Sequence, residues 1–140
     1  MKHFASLLVV GLLLIGCAAR PIHPGTANTF DSSVYDSLLT TDSVIKSTKT
    51  ELANNSFPPS IVGNVKDALN RLIAIYNETD VLYCNPPAGA GPTDSCAPNS
   101  YHALAMAGQS TPAADALMKS KITSMNTAVG ALSSAKGGSR

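Results

Sequence analysis

Two cysteines, three acids and one histidine carry most of the chemistry this chain has to offer. Cys84 and Cys96 bracket Asn-Pro-Pro-Ala-Gly-Ala-Gly-Pro-Thr-Asp-Ser, a segment supple enough to bring its own ends together. Neither cysteine belongs to a Cys-x-x-Cys pair, and no further Cys or His stands at zinc spacing. A disulfide is therefore the expected chemistry, worth about 3 kcal/mol by loop-closure bookkeeping. Glu78 and Asp80, with Asp94 in the bracketed loop, supply carboxylate oxygens of the kind that hold calcium, but they match no EF-hand spacing. The simpler expectation is two exposed acids. His102 is the one histidine in the region expected to fold. A Ser-His-Asp set can be written from Ser100, His102 and Asp94, yet a serine-rich chain offers many such sets. No Gly-x-Ser-x-Gly elbow is present. His102 is expected to be a solvent-facing loop residue, and no catalytic residue, metal ligand or cofactor is assigned. Tyr76, Tyr83 and Tyr101 gather around the cysteine loop in sequence. Tyrosine is common at recognition surfaces, but packing at the core and its rim is the plainer role.

The third cysteine has a different setting. Met1-Lys2-His3 forms a short positive start, Phe4 to Ile15 is apolar, and Gly16 is the small residue before Cys17. These are the parts of a secretory leader. An apolar run of that length makes a helix of roughly 18 Å, too short for a hydrocarbon core of about 30 Å. Leu14-Ile15-Gly16-Cys17 resembles the lipobox of bacterial lipoproteins. The resemblance covers residues 1–17 and implies cleavage after Gly16, a diacylglycerol on the Cys17 thiol, and an acylated amino terminus. Two or three acyl chains, at about 0.8 kcal/mol per buried CH₂, anchor a protein stably. It further implies a place in the cell envelope. Ala18, where Asp would favour inner-membrane retention, points to the periplasmic face of an outer membrane if the organism has one.

Cleavage would remove Lys2 and leave nine basic against nine acidic residues. There is no basic stripe, so nucleic acid is not an expected partner, and no polybasic cluster supports a second membrane contact. Charged residues make up 14% of the chain, so Ser, Thr, Asn and Ala must supply much of the surface. Export permits the remaining cysteines to oxidise.

The elements that would position these residues are helical. Residues 17–28 read as a lipidated tether, since Pro21 and Pro24 discourage helix and no apolar period is present. A first helix is expected from about Phe30 to Ala53, capped by Thr29 or Asp31. Its seam is Phe30, Val34, Leu38, Thr41, Ile45, Thr48 and Leu52, with two positions softened by threonine. Asn54 to Pro59 breaks the chain. A second helix is expected from about Ser60 to Tyr83, lined by Ile61, Val65, Leu69 or Ala68, Leu72, Tyr76, Thr79 and Leu82 or Tyr83, and widened by Ile73 and Ile75. Tyr101 to Met106 adds a short helical turn. A third helix opens with Thr111-Pro112, runs to about Ala135 and stops at Gly137-Gly138, lined by Met118, Ile122, Met125, Val129 and Leu132. Asp42/Lys46, Asp67/Arg71 and Asp115/Lys119 stand four apart on exposed faces, a spacing worth a few tenths of a kcal/mol.

The expected fold is all-α: a three-helix bundle over residues 29–137 with a disulfide-closed loop between helices two and three. Residues 1–16 form the leader and residues 138–140 a disordered tail. Val34, Leu38, Ile45, Val65, Leu69, Leu72, Tyr76, Met118, Ile122, Met125 and Val129 should form its centre. The expected function is a non-enzymatic, membrane-anchored interaction or structural module, with an envelope protein or a second copy as partner. The alternative is a small-ligand or metal-binding lipoprotein using the bundle interior or the acidic end of helix two.

Overall fold

The computed structural model describes residues 25–85 and 96–137. The leader, Cys17, Asp94 and residues 138–140 lie outside the described residues. Among those described, the chain is helical with no strand: α1 Thr29–Ala53, α2 Pro59–Tyr83, α3 Tyr101–Met106 and α4 Pro112–Gly137. The helix count is thus four, three long and one short. The expected helical turn at Tyr101–Met106 is a capped helix in its own right. No described helix is long and apolar enough to cross a membrane.

Each boundary has a local cause. The cap of α1 is Asn28, not Thr29 or Asp31: its side chain accepts the Phe30 and Asp31 amides at 2.9 and 3.0 Å. Asp31 instead sits three residues in, where its carboxylate reaches back to the Ala27 amide at 2.7 Å. At the other end, the Ser56 amide bonds the Glu51 carbonyl and the Asn55 amide bonds that of Leu52. Asn55 is left-handed with φ 53°, so a Schellman turn stops α1. The same motif ends α3, with Gly108 at φ 67°, Gln109 bonded to Leu104 and Gly108 bonded to Ala105. Pro59 occupies the first position of α2. Thr111 caps α4 by accepting the Ala114 amide at 3.2 Å, with Pro112 following it as expected.

Three ion pairs and contacts fix the directions. Lys121 of α4 meets Glu78 of α2 at 2.8 Å, and Tyr101 bonds Asp115. Lys136, near the end of α4, meets Glu51, near the end of α1, at 2.6 Å. So α4 runs antiparallel to α2 and alongside α1. Lys136 also lies 5.8 Å from the Phe57 ring centroid, a cation–π contact worth about 0.5–1 kcal/mol.

The fully buried positions recur every seven residues: Val34, Thr41 and Thr48; Val65, Leu72 and Thr79; Met118, Met125 and Leu132. A repeat of seven keeps one stripe of each helix facing its neighbours over two turns. The buried threonines do not leave polar atoms unsatisfied. Thr48 and Thr79 donate to the carbonyls of Val44 and Ile75 on their own helices, at 2.8 and 2.7 Å. The core differs from expectation in that Tyr76, Ile122 and Val129 are half-buried rather than central, while Leu132 takes a central place. Ile122 and Val129 lie four residues from Met118 and Met125, which sets them on the flank of the stripe. Packing is most extensive between α2 and α4, while α1 is attached more lightly to both.

Candidate functional site

The polar groups that can do chemistry collect where α1 begins, α2 ends and α3 lies across them. The Cys84–Cys96 disulfide builds this end, with Cα atoms 4.5 Å apart, well inside the range a bridge requires. Beside it the Ala97 amide bonds the Cys84 carbonyl at 2.9 Å. Three residues later Ser100 caps α3 by accepting the Ala103 amide. That short helix delivers Tyr101 and His102 to the end of the bundle.

His102 is not a solvent-facing loop residue. It lies on α3, with 17% of its side chain exposed, and its Nδ1 stands 3.1 and 3.2 Å from the two oxygens of Asp31. Asp31 is wholly buried. The hydroxyl of Tyr83, from α2, lies 3.2 Å from the same nitrogen. A carboxylate only accepts, so the proton belongs on Nδ1, and Asp31 receives the Ala27 amide as well. Nε2 makes no hydrogen bond among the described residues. The rings around this centre are packed: Tyr83 and His102 have centroids 5.3 Å apart, Tyr83 and Tyr101 stack at 6.4 Å, and Phe30 meets Tyr101 edge-on at 6.0 Å.

The electrostatics follow from burial. Burial first, and then the negative charge of Asp31, hold the Tyr83 phenol protonated well above the ordinary tyrosine range. Tyr101 is pushed the same way by burial and by its 2.8 Å hydrogen bond to Asp115. Both phenols are thus neutral donors, suited to holding carboxylates rather than to nucleophilic work.

The residues singled out in the sequence are only partly brought together. Ser100 is near His102 in sequence, but its hydroxyl oxygen serves the α3 amide, and Asp94 lies outside the described residues. The carboxylate that does meet His102 is Asp31, 71 residues away. Glu78 and Asp80 diverge. Glu78 faces α4 and pairs with Lys121. Asp80 faces α1, where burial and then the charge of Asp42 raise its pKa. Two positions apart on a helix place side chains on nearly opposite faces, so these acids do not converge on one cation. Among the described residues no three His, Cys, Asp or Glu side chains form a metal-binding group. Tyr83 and Tyr101 do cluster at the disulfide, while Tyr76 stands two turns back along α2, beside Asp42 and Asp80.

A second feature lies away from this end. An open groove of about 600 Å³ runs between α2 and α4, lined by Ala68, Thr127, Ala128 and Ala131 together with Asp67 and Arg71. Asp67 and Arg71 form no ion pair among the described residues, with each other or with anything else. Of the three pairs expected four apart, only Asp42–Lys46 is formed, at 2.6 Å; Asp115 serves Tyr101 instead. No protein-family model matches the chain, and no curated protein or solved structure matches it.

Proposed function

We propose that this chain is a lipid-anchored envelope protein whose three long helices form a bundle that works as a non-enzymatic interaction module. The observation that carries the reading is how completely the polar end of the bundle is used up internally. Asp31, His102 and Tyr83 satisfy one another, and no buried side-chain N or O atom among the described residues lacks a partner. The centre is filled by Leu72, Met118 and Met125, and the two grooves lined by Ala68 and Thr127 and by Tyr35 and Tyr76 open to solvent between helices. A filled core with its polar residues spent on fastening suits a rigid module that offers its outside to a partner. The divergence of Glu78 and Asp80 weighs against the metal-binding alternative.

The anchor rests on Leu14-Ile15-Gly16-Cys17. Detergent-phase partitioning of wild type and Cys17→Ser tests it: the wild type should enter the detergent phase and the variant should stay aqueous. If both remain aqueous, the anchor is wrong. Co-purification from detergent-solubilised envelope tests the module reading. Recovery of the chain alone, as a monomer, would count against it.

A further inference from the structure

We propose that the groove between α2 and α4 is the contact between two copies of this chain, related by a two-fold axis that crosses α2 at the level of Leu69. The inference rests on the interaction-module reading and names self-association as the interaction.

The charges argue for it. Asp67 and Arg71 lie one turn apart on the exposed side of α2, on the groove, and neither forms an ion pair among the described residues. Laying α2 antiparallel across its own copy, centred between them, sets Asp67 against the second copy's Arg71 and Arg71 against its Asp67. A two-fold contact must be self-complementary in this way, with residue i meeting j and j meeting i. No other centre along α2 matches both charges at once: Asp67 alone could meet Lys66, and Arg71 alone could meet Glu78 or Asp80.

The other wall agrees. From Ile122 to Ala135, α4 has no charged residue, although Thr123, Ser124, Thr127 and Ala131 are exposed there. Interface cores are depleted in charged residues, and this stretch carries none. The exposed side chains on this face are small, so the two α4 backbones can approach closely. With α2 and α4 facing their counterparts, four helices close over the groove. If each copy is tethered to a membrane, the second binding event occurs at a raised effective concentration, so a modest solution affinity suffices.

The test is sedimentation velocity on the purified full-length chain in detergent, over a range of concentrations. Wild type should self-associate. Asp67→Arg and Arg71→Asp, each alone, should weaken the dimer by about tenfold or more, because each sets like charges together twice. Mixing the two single variants should restore association, since every contact then pairs opposite charges. The double swap should also restore it. Both side chains are exposed, so far-UV circular dichroism and melting temperature should match wild type in all variants. A monomeric wild type, or single variants that associate like wild type, would overturn the proposal. So would a double swap that recovers while the mixture does not, since that pattern belongs to a pairing within one chain. Partitioning of the same samples reads the anchor independently. A monomer that enters detergent refutes only the dimer, and a dimer that stays aqueous refutes only the anchor.

Discussion

Removing the carboxylate of Asp31 should do more damage than removing any other single polar group at this end of the bundle. The side chain is wholly buried, accepts the Ala27 amide at 2.7 Å and holds His102 Nδ1 at 3.1 Å. Asp31→Ala orphans the amide and the ring nitrogen together and frees the start of α1. Leaving a buried donor without its acceptor costs about 1–3 kcal/mol, and here two donors lose theirs. His102 keeps some exposure and can turn toward water, so its share is the smaller and the total is about 3 kcal/mol. Against a total stability of about 5–15 kcal/mol that is a large share. For a body of about 100 residues, the melting temperature should fall by about 12–15 °C. His102→Ala should cost less, about 1.5–3 kcal/mol, because Asp31 keeps its amide partner. The double variant should cost less than the two singles added, by about 1–3 kcal/mol. Thermal and urea unfolding followed by circular dichroism measures all three corners of the cycle. Additivity within about 0.5 kcal/mol would show that Asp31 and His102 do not act as a pair, and the account of this end of the bundle would fail.

Other consequences can be measured on the same protein. Leu72→Ala, at a fully buried position of α2, should cost about 2–5 kcal/mol, while exposed Lys49→Ala should cost about 0.5 kcal/mol or less. Equal melting temperatures would mean that the heptad stripes do not pack as described. In alkali, Tyr76 should ionise only near pH 12, where burial places it, and Tyr83 and Tyr101 should ionise only as the fold is lost. The sign follows from linkage: a phenol that binds its proton more tightly when folded stabilises fully below pH about 10, and that contribution disappears as pH rises past it. Tyrosinate absorbance should therefore climb together with loss of helical circular dichroism. Full ionisation of all the tyrosines near pH 10, with helix intact, would contradict the burial of Tyr83 and Tyr101.

The long helices were legible because their apolar residues repeat. Val34, Leu38 and Ile45 fall on one face whatever else the chain does, and so do Val65, Leu69 and Leu72. The disulfide was legible because two cysteines bracketed a flexible loop. The cap is Asn28 and not its neighbours Thr29 or Asp31, and the spacing Asn28-x-x-Asp31, which resembles a capping box, is the local signal for it. What no local pattern could disclose is the meeting of Asp31 with His102. That pairing depends on which end of the bundle α3 is drawn to, and the sequence between Cys96 and Thr111 has no period that fixes the direction. In the sequence Asp31 is a candidate cap for its own helix; burial makes it a structural acceptor for a second element as well. The half-burial of Tyr76, Ile122 and Val129 was hidden for a related reason. A stripe written at spacings of three and four marks a face, but only the neighbouring helices decide which of its positions lie at the centre.

The lighter attachment of α1 has a mechanical side. A pull on the chain at Gly25 arrives first at Ala27, whose amide is tied to Asp31. From Asp31 the load passes sideways to His102 on α3 and to Tyr83 beside the disulfide. At the far end of the same helix, Glu51 is clasped by Lys136. Helix α1 is thus a strut pinned at both ends and soft along its middle, where Thr41 and Thr48 replace larger apolar groups. Such a member resists peeling from either tip. Under tension α1 is therefore expected to give way before the more extensively packed pair of α2 and α4.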